Sequence, residues 1–236
     1  MMKLFDIIHV GDIKVYDLNE FQTYSKSVLQ EVEIFWNLEI KNKPHLFNRK
    51  AFCFKNLTIE KNTAIISGNF IDYKIIIADR KLKSLNLFQV GVSGICITNE
   101  SEPRILFSKR GKSTTEYSDF WELAPSGNLD TSVLGDDSTI SYKDQLISEF
   151  LEETNLSSDV ISKITPFCLI RDNHNHVYDI CCKIELDLHS KIHFSNSEYI
   201  SSILVSYSDL PNFIQKNSQN IVPTSLGILE CIMQHL

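Results

Sequence analysis

Several features that assign a sequence to a specialised class are missing from this one. No Cys-x-x-Cys pair occurs among its six cysteines, and most of them lie in apolar runs, so we expect buried free thiols in a reducing compartment. No apolar run approaches the length of about 20 residues that a membrane span needs, and no long apolar stretch follows Met1-Met2-Lys3. These absences predict a cytoplasmic protein with neither a signal peptide nor a membrane partner.

Positive charge is also scarce. The chain has 23 lysines and arginines against 30 aspartates and glutamates, which gives a formal net charge of −7 at pH 7. Such a chain does not attract phosphate polymers over a broad basic face, so we expect no nucleic-acid polymer as a partner. Its 236 residues, 43% hydrophobic and 22% charged, are typical of one large or two small globular domains.

One local absence of positive charge is more informative. Segment 144–162 contains no lysine or arginine, yet it holds Glu149, Glu152 and Glu153 at i, i+3 and i+4. On a helix this spacing stacks the three carboxylates on one face, where surface helices usually interleave lysine or arginine. A divalent cation that prefers oxygen ligands would supply the missing charge. A solvated acidic face is the alternative interpretation.

The remainder of this segment supports a helix with a defined end. Leu146 and Phe150 fall on the side away from the carboxylates and give the helix an apolar stripe. Asn155 is a residue type that adopts the left-handed conformation of a helix C-cap, after which Leu156 can return to the core.

Three predicted strands precede the acidic helix. The apolar segments 90–98 and 105–110 are separated by a short loop, and the second ends in Lys109-Arg110. Segment 121–127 then predicts a strand that ends in a Pro-x-Gly turn. The resulting order is three strands, a Pro-x-Gly turn and an acidic helix.

This order and its motif resemble the Nudix hydrolases. Their box reads Gly, five residues, Glu, seven residues, then Arg-Glu-U-x-Glu-Glu-x-Gly-U, with U apolar. Segment 148–156 matches the second half at both U positions and at all three Glu positions, with Ser148 in place of the Arg and Asn155 in place of the Gly. The box Gly corresponds to Gly127, and seven extra residues separate it from the helix. We place this insert in the loop 130–141, and the first box Glu has no clear counterpart.

The resemblance implies an α/β fold. We expect a Nudix α/β/α sandwich with a mixed sheet over residues 88–236, lying between helices at 142–155 and 224–236. It also implies metal-dependent hydrolysis of a nucleoside diphosphate linked to another moiety.

Metal ligands follow from the resemblance, residue by residue. Mg²⁺ or Mn²⁺ is expected on the carboxylates of Glu149, Glu152 and Glu153 and on the carbonyl of Ser126. Catalytic roles are expected for Glu152 and Glu153.

The general base is left open by the sequence. The candidates are Glu153, Glu198 and a residue of the polar loop 172–176, which lies between two predicted strands.

Substrate contacts are expected from residues near the predicted strand ends. Arg110 could clamp a phosphate or be an ordinary surface arginine. Tyr117 and Trp121 could stack on a base or line the pocket, although core packing is the favoured role for Trp121.

Residues 1–87 are predicted to form a smaller α+β region that packs on the Nudix domain 88–236. A helix is expected from Asp17 or Asn19 to about Ile40, because aromatic and aliphatic residues recur there at helical spacing. Strands are expected near 50–57, 62–70 and 73–79.

Part of this region is similar to the UDP-glucose diphosphatase branch of the Nudix family. The similarity rests on Trp36, on Pro44-x-Leu46-Phe47-Asn48 and on the Tyr73-Lys74 pair. It implies a UDP-sugar as substrate, cleaved to UMP and a sugar 1-phosphate.

Two other functions remain open. One is a Nudix hydrolase that acts on ADP-ribose or another dinucleotide. The other is a non-catalytic module that binds a nucleotide or a protein, which Ser148, Asn155 and the missing first Glu favour. The expected partners are a small nucleoside diphosphate derivative and a second copy of the chain in a homodimer.

Overall fold

The computed structural model describes residues 5–44, 46–112, 114, 117–187 and 199–233. The first part of the chain forms β1 (Phe5–His9), β2 (Asp12–Asp17), α1 (Lys26–Asn42), β3 (Lys50–Glu60), β4 (Thr63–Asp72) and α2 (Tyr73–Leu82). The second part begins with β5 (Phe88–Thr98), β6 (Arg104–Arg110), β7 (Trp121–Leu123), β8 (Ser126–Asn128) and α3 (Tyr142–Thr154). It continues with β9 (Ile161–Asp172), β10 (Val177–Leu186), β11 (Tyr199–Ser206), α4 (Leu210–Asn217) and α5 (Pro223–Met233).

The strands form one mixed sheet. Its main path runs β1-β9-β10-β5-β3-β4-β2, while β6 pairs with β5, β7 and β11, and β8 pairs with β5. β5 is parallel to β10 and β2 is parallel to β4, whereas β9 is antiparallel to both β1 and β10. The predicted α/β class with a mixed sheet is confirmed.

Helices cover both faces of this sheet. Successive side chains of β5 point to opposite faces, so Val92 packs in one core cluster and Ile95 in the other. Phe150 of α3 belongs to the first cluster and Ile228 of α5 to the second. The predicted layers therefore hold, with α3 and α5 close to their expected positions. Residues 234–236 of the predicted last helix lie outside the described residues.

Two N-terminal predictions were wrong. Segment 73–79 is not a strand but the start of α2, because the helical spacing of Ile75, Ile76 and Ala78 places them in one core cluster with α1. α1 starts at Lys26, later than expected, where the Ser25 hydroxyl accepts the Val28 amide proton and caps the helix.

The N-terminal strands extend the central sheet and do not form a small sheet of their own. β3 joins β5 through the pairs Cys53–Gln89 and Phe54–Phe88, and β1 joins the opposite side of the sheet through β9. A boundary at residue 87 remains a prediction. None of the helices among the described residues is long and apolar enough to cross a membrane. All six cysteines are free and buried, as expected.

The insert 130–141 is mostly loop, with one short 3-10 turn at Thr131–Val133. The amide of Asp17 donates to the carbonyl of Ser138 at 2.9 Å, and the amide of Ile140 donates to the carbonyl of Val15 at 2.9 Å. The insert thus attaches the region before α3 to an N-terminal strand.

Candidate active site

The acidic helix ends as the sequence predicts. Asn155 adopts the left-handed conformation at φ 55°, and its amide donates to the Leu151 carbonyl at 3.1 Å. Leu146 and Phe150 are fully buried under the helix. Glu153 lies on this same buried face and not, as predicted, on the side away from it, because it follows Leu146 by seven residues, about two helical turns. This face of the helix is directed toward the turn between β7 and β8.

Glu149 lies directly over this turn. A Cβ placed on Gly127 would come within 2.0 Å of Glu149 Oε1, so glycine is needed here for the close approach. The Gln145 side-chain amide donates to the same carboxylate oxygen at 2.9 Å. The carboxylate is therefore held against the backbone of the turn.

Glu153, one helical turn after Glu149, contacts the neighbouring residue Ser126. Its carboxylate is 5% exposed and accepts the backbone N–H of Ser126 at 3.3 Å. The hydroxyl of Tyr199 on β11 lies 3.0 Å from Glu153 Oε2. Contacts from two different elements thus orient a buried carboxylate beside Ser126.

Tyr199 connects Glu153 to a second buried acid. Its hydroxyl also lies 2.5 Å from Glu122 Oε1, and Arg110 Nη1 donates to both oxygens of Glu122 at 2.6 Å. Glu122 is 4% exposed. We call Arg110, Glu122, Tyr199 and Glu153 the buried acid network. Arg110 is thus neither a plain surface arginine nor a side chain directed at solvent.

Glu152 differs from its two neighbours. It is exposed, and the Ser148 hydroxyl donates to its Oε1 at 3.2 Å. A short serine thus contacts the glutamate one turn ahead, at the position where the box has arginine.

A cleft of about 330 Å³ opens beside the turn. Its walls come from the strand ends, the turn, the β9–β10 connection and α5. The lining includes Arg110, Tyr117, Glu122, Ser126, Gly127, Asn128, Asp172, Asn175, Asp179 and Ser225. Trp121 is not part of this lining, because its ring packs edge-on against Phe213 at 5.7 Å.

Comparisons with known proteins agree with this architecture. No protein-family model matches the sequence, and no curated protein matches it either. Among solved structures, Tm1382, described as a candidate Nudix hydrolase, superposes with a TM-score of 0.51 at 15% identity over 70% of this chain and 78% of its own. This chain has the Nudix fold. The likeness extends to the fold alone, since the identity is low.

Two other solved structures resemble the chain at lower scores. The Nudix domain of Shewanella oneidensis NrtR, solved with ADP ribose, gives a TM-score of 0.48 at 15% identity over 70% of this chain and 99% of its own. A bifunctional NMN adenylyltransferase/ADP ribose pyrophosphatase from Francisella tularensis, solved with AMP and a Mn ion, gives 0.49 at 17% identity over 68% and 46%.

The oxygen atoms around α3 are of a type that suits a divalent cation, because carboxylate and carbonyl oxygens are the ligands of Mg²⁺ and Mn²⁺. Within the described ranges, however, no group of three histidine, cysteine, aspartate or glutamate side chains is placed to hold one ion. Glu149, Glu152 and Glu153 each have hydrogen-bond partners within the protein. A metal would therefore require at least one of these side chains to rotate.

The structure adds two acids that sequence reasoning missed, Glu122 and Asp179. Asp179 is 7% exposed, and the Ser93 hydroxyl donates to its Oδ2 at 2.6 Å. Burial raises the pKa of Asp179 to about 7, and the nearby negative charges of Asp172 and Glu122 act in the same direction. The available signal was a single acid in an otherwise apolar strand segment.

The candidates for a general base outside α3 are Glu198 and the loop 172–176. Glu198 lies outside the described residues. In the loop 172–176, Asp172 accepts the backbone N–H groups of His174 at 2.8 Å and Asn175 at 3.0 Å, so it holds the turn together. His176 is 8% exposed and stacks on Phe88, in a position typical of core packing.

Proposed function

We propose that the chain hydrolyses a nucleoside diphosphate linked to another moiety. The observation that carries this proposal is the convergence of the Glu149 and Glu153 carboxylates on Ser126 and Gly127 of β8, which line a cleft together with Arg110. Phosphoryl transfer needs positioning and neutralisation of charge more than covalent chemistry from the protein, and these groups can supply both.

We propose that Mg²⁺ or Mn²⁺ is held by Glu149, Glu152, Glu153 and the carbonyl of Ser126. When bound, such an ion neutralises phosphate oxygens and lowers the pKa of a coordinated water.

The chain's own groups have distinct parts in this proposal. The Tyr199 hydroxyl and the Ser126 amide contact the Glu153 carboxylate and hold it in one orientation, as a general base requires. Glu122 holds Arg110 at the edge of the cleft. An incoming phosphate can contact the same guanidinium, because Arg110 lines the cleft.

Our more specific proposal is a UDP-sugar as substrate, and Tyr117 as a residue that contacts it. The support is the N-terminal similarity to UDP-glucose diphosphatases. Trp36 and Tyr73 of that similarity pack edge to face at 6.4 Å, and Tyr73 also packs against the N-terminal core cluster, so both contribute to the fold of this region.

A substrate panel tests the proposal. Purified protein with millimolar Mg²⁺ and a coupled phosphatase would be assayed on UDP-glucose, UDP-galactose, ADP-ribose, dinucleoside polyphosphates, CoA and NADH. Release of phosphate from the UDP-sugars supports the specific proposal. Cleavage of ADP-ribose alone would support a hydrolase but contradict a UDP-sugar as its substrate.

A binding module is the second candidate. The fact that each carboxylate of the Nudix helix already has a hydrogen-bond partner within the protein favours it. Inactivity on the whole panel, together with nucleotide binding in calorimetry, would establish this alternative.

Metal is expected to stabilise the folded protein. A ligand at 100 times its Kd adds about 2.7 kcal/mol, which raises the Tm of a protein of this size by roughly 5–10 °C. Thermal melts with millimolar Mg²⁺ or Mn²⁺ should show this rise in the wild type and almost none in Glu149→Gln/Glu153→Gln. An equal rise in both proteins would place the metal elsewhere.

Gly127→Ala is expected to lower kcat by about 10²-fold, because displacing a catalytic group by about 1 Å can cost that much. The new methyl group would overlap Glu149 Oε1, and that flexible carboxylate has to move away. Gly135→Ala in the insert is the control, since its methyl group would meet only the side-chain oxygens of Asp137 and Thr139, at 3.0–3.1 Å. Wild-type kcat in Gly127→Ala would show that the position of Glu149 does not matter.

A further inference from the structure

The cleft extends well beyond the catalytic turn, and its far end is partly built by the N-terminal region. Arg80, in the last turn of α2, lines the same cleft as Arg110. Asp172 and Asn175 of the β9–β10 connection lie in that lining as well. A residue that precedes the predicted Nudix domain therefore contributes a side chain to its cleft.

Arg80 is incompletely satisfied. Its Nη2 donates to Gln89 Oε1 at 2.8 Å, but its buried Nε has no hydrogen-bond partner among the described residues. Gln89 is fully buried, and its Nε2 also has no partner in the described part of the chain. Buried donors without acceptors are rare, so the surroundings of Arg80 leave its hydrogen-bonding capacity incompletely used.

The two arginines of the cleft differ in their pairing. Arg110 is bound by the carboxylate of Glu122, whereas no salt bridge to Arg80 occurs among the described residues. Asp172 also lines the far end, but its carboxylate is engaged by the N–H groups of the following turn. Arg80 is therefore an arginine of the cleft that forms no salt bridge with a carboxylate of the described chain.

The chemistry of an arginine defines what it can bind. The Nε–H and an Nη–H of a guanidinium form a fork that matches two oxygens of a carboxylate or a phosphate. Because Arg80 Nε is buried, a ligand in the cleft would contact the outer nitrogens of the guanidinium and so neutralise its charge. An oxyanion fits this requirement better than a hydroxyl group.

Position along β5 separates this end of the cleft from the reaction centre. Gln89, the partner of Arg80, lies four residues before Ser93, which pairs with Ser126 of the catalytic turn. At about 3.3 Å per residue this is roughly 13 Å along the strand. A group bound by Arg80 thus belongs to a part of the ligand remote from the diphosphate.

We propose that Arg80 is a specificity residue that binds an oxyanion on the substrate moiety remote from the scissile diphosphate. This inference rests on the proposed function and narrows its substrate class to derivatives that carry a second acidic group, either a carboxylate or a phosphate. The N-terminal region then completes the binding site as well as the sheet.

Binding calorimetry with pairs of probes that differ by one acidic group tests this inference. UDP-glucuronate against UDP-glucose tests a carboxylate, and CoA against dephospho-CoA tests a phosphate. In the wild type the acidic member of one pair should bind at least about tenfold more tightly, a difference of about 1.4 kcal/mol. The pair that shows the preference identifies which oxyanion is bound.

Variants at Arg80 connect the preference to this side chain. Arg80→Gln should abolish the preference and leave the affinity for the neutral probe within about twofold, while Arg80→Lys should retain part of the preference. Lys81→Gln, which removes the exposed neighbouring cation on α2, should bind as the wild type does. Melting curves verify that each variant is folded.

Two results would overturn the inference. One is equal binding of both members in each pair, and the other is a preference that survives in Arg80→Gln. Because binding is measured without turnover, inactivity in the hydrolysis panel would reject the proposed hydrolase while leaving a positive Arg80 result intact.

Discussion

Glu153→Gln is expected to lower kcat by about 10²–10⁴-fold, the range typical of lost acid–base catalysis, with little change in substrate affinity. The glutamine keeps the volume of a side chain that is 5% exposed, but it removes the charge that the Ser126 amide and the Tyr199 hydroxyl hold in place. A group that works mainly in the transition state affects kcat more than binding.

Steady-state kinetics on the best substrate of the panel, with calorimetry for affinity, would measure this effect. Asp144→Asn is the control, because Asp144 is an exposed acid in the first turn of the same helix. A Glu153→Gln enzyme that retains wild-type kcat would exclude Glu153 as base and as essential ligand. The open candidates would then be Glu198 and the loop 172–176.

Asp179→Asn is expected to stabilise the protein, and by more as the pH rises. Burial raises the pKa of Asp179 from the ordinary 3.8 to about 7, so between these values the folded protein keeps a proton that the unfolded chain releases. The stability that the neutral acid provides is complete below about pH 4 and is lost progressively up to about pH 7. Over this window the free energy of unfolding falls by roughly 4 kcal/mol, at 1.36 kcal/mol per pKa unit. Asparagine does not ionise, so the variant does not lose this stability.

Urea denaturation at pH 5 and pH 8 would measure the free energy of unfolding of both proteins. The advantage of the variant should grow by about 2–3 kcal/mol between these pH values. Asp136→Asn, at an exposed position in the insert, should show no such growth. An advantage independent of pH would mean that Asp179 is ionised in the folded protein throughout the range.

The part of the site that is local in sequence could be predicted. The helix that carries the glutamates and its C-cap residue Asn155 depend on helix geometry alone, and the structure has them as expected. The three carboxylates do not share one environment, however, because Glu153 is buried and Glu152 is exposed. A break in the strand was visible at Pro125, but Ser126 and Gly127 belong to β8 and not to a turn.

What depends on distant partners could not be predicted. Glu122 becomes a candidate site residue only because Arg110 and Tyr199 contact it from other strands. The burial of Asp179 follows from the pairing of β10 with β5. The error at α2 has the same origin, since three successive β-branched residues from Ile75 favour a strand until packing against α1 selects a helix. Local preference is decided there by tertiary contacts.

The position of β1 has a consequence for the order in which the protein can fold. Ile7 pairs with Ile170, so β1 has its partner in β9, far along the sequence. During synthesis from the N-terminus, β1 has no strand to pair with until β9 has left the ribosome. Contacts between such distant segments require long loops to close before any pairing is gained, which slows folding. We therefore expect the pairing of β1 to be a late step, reached only after β9 and the segments before it have been made.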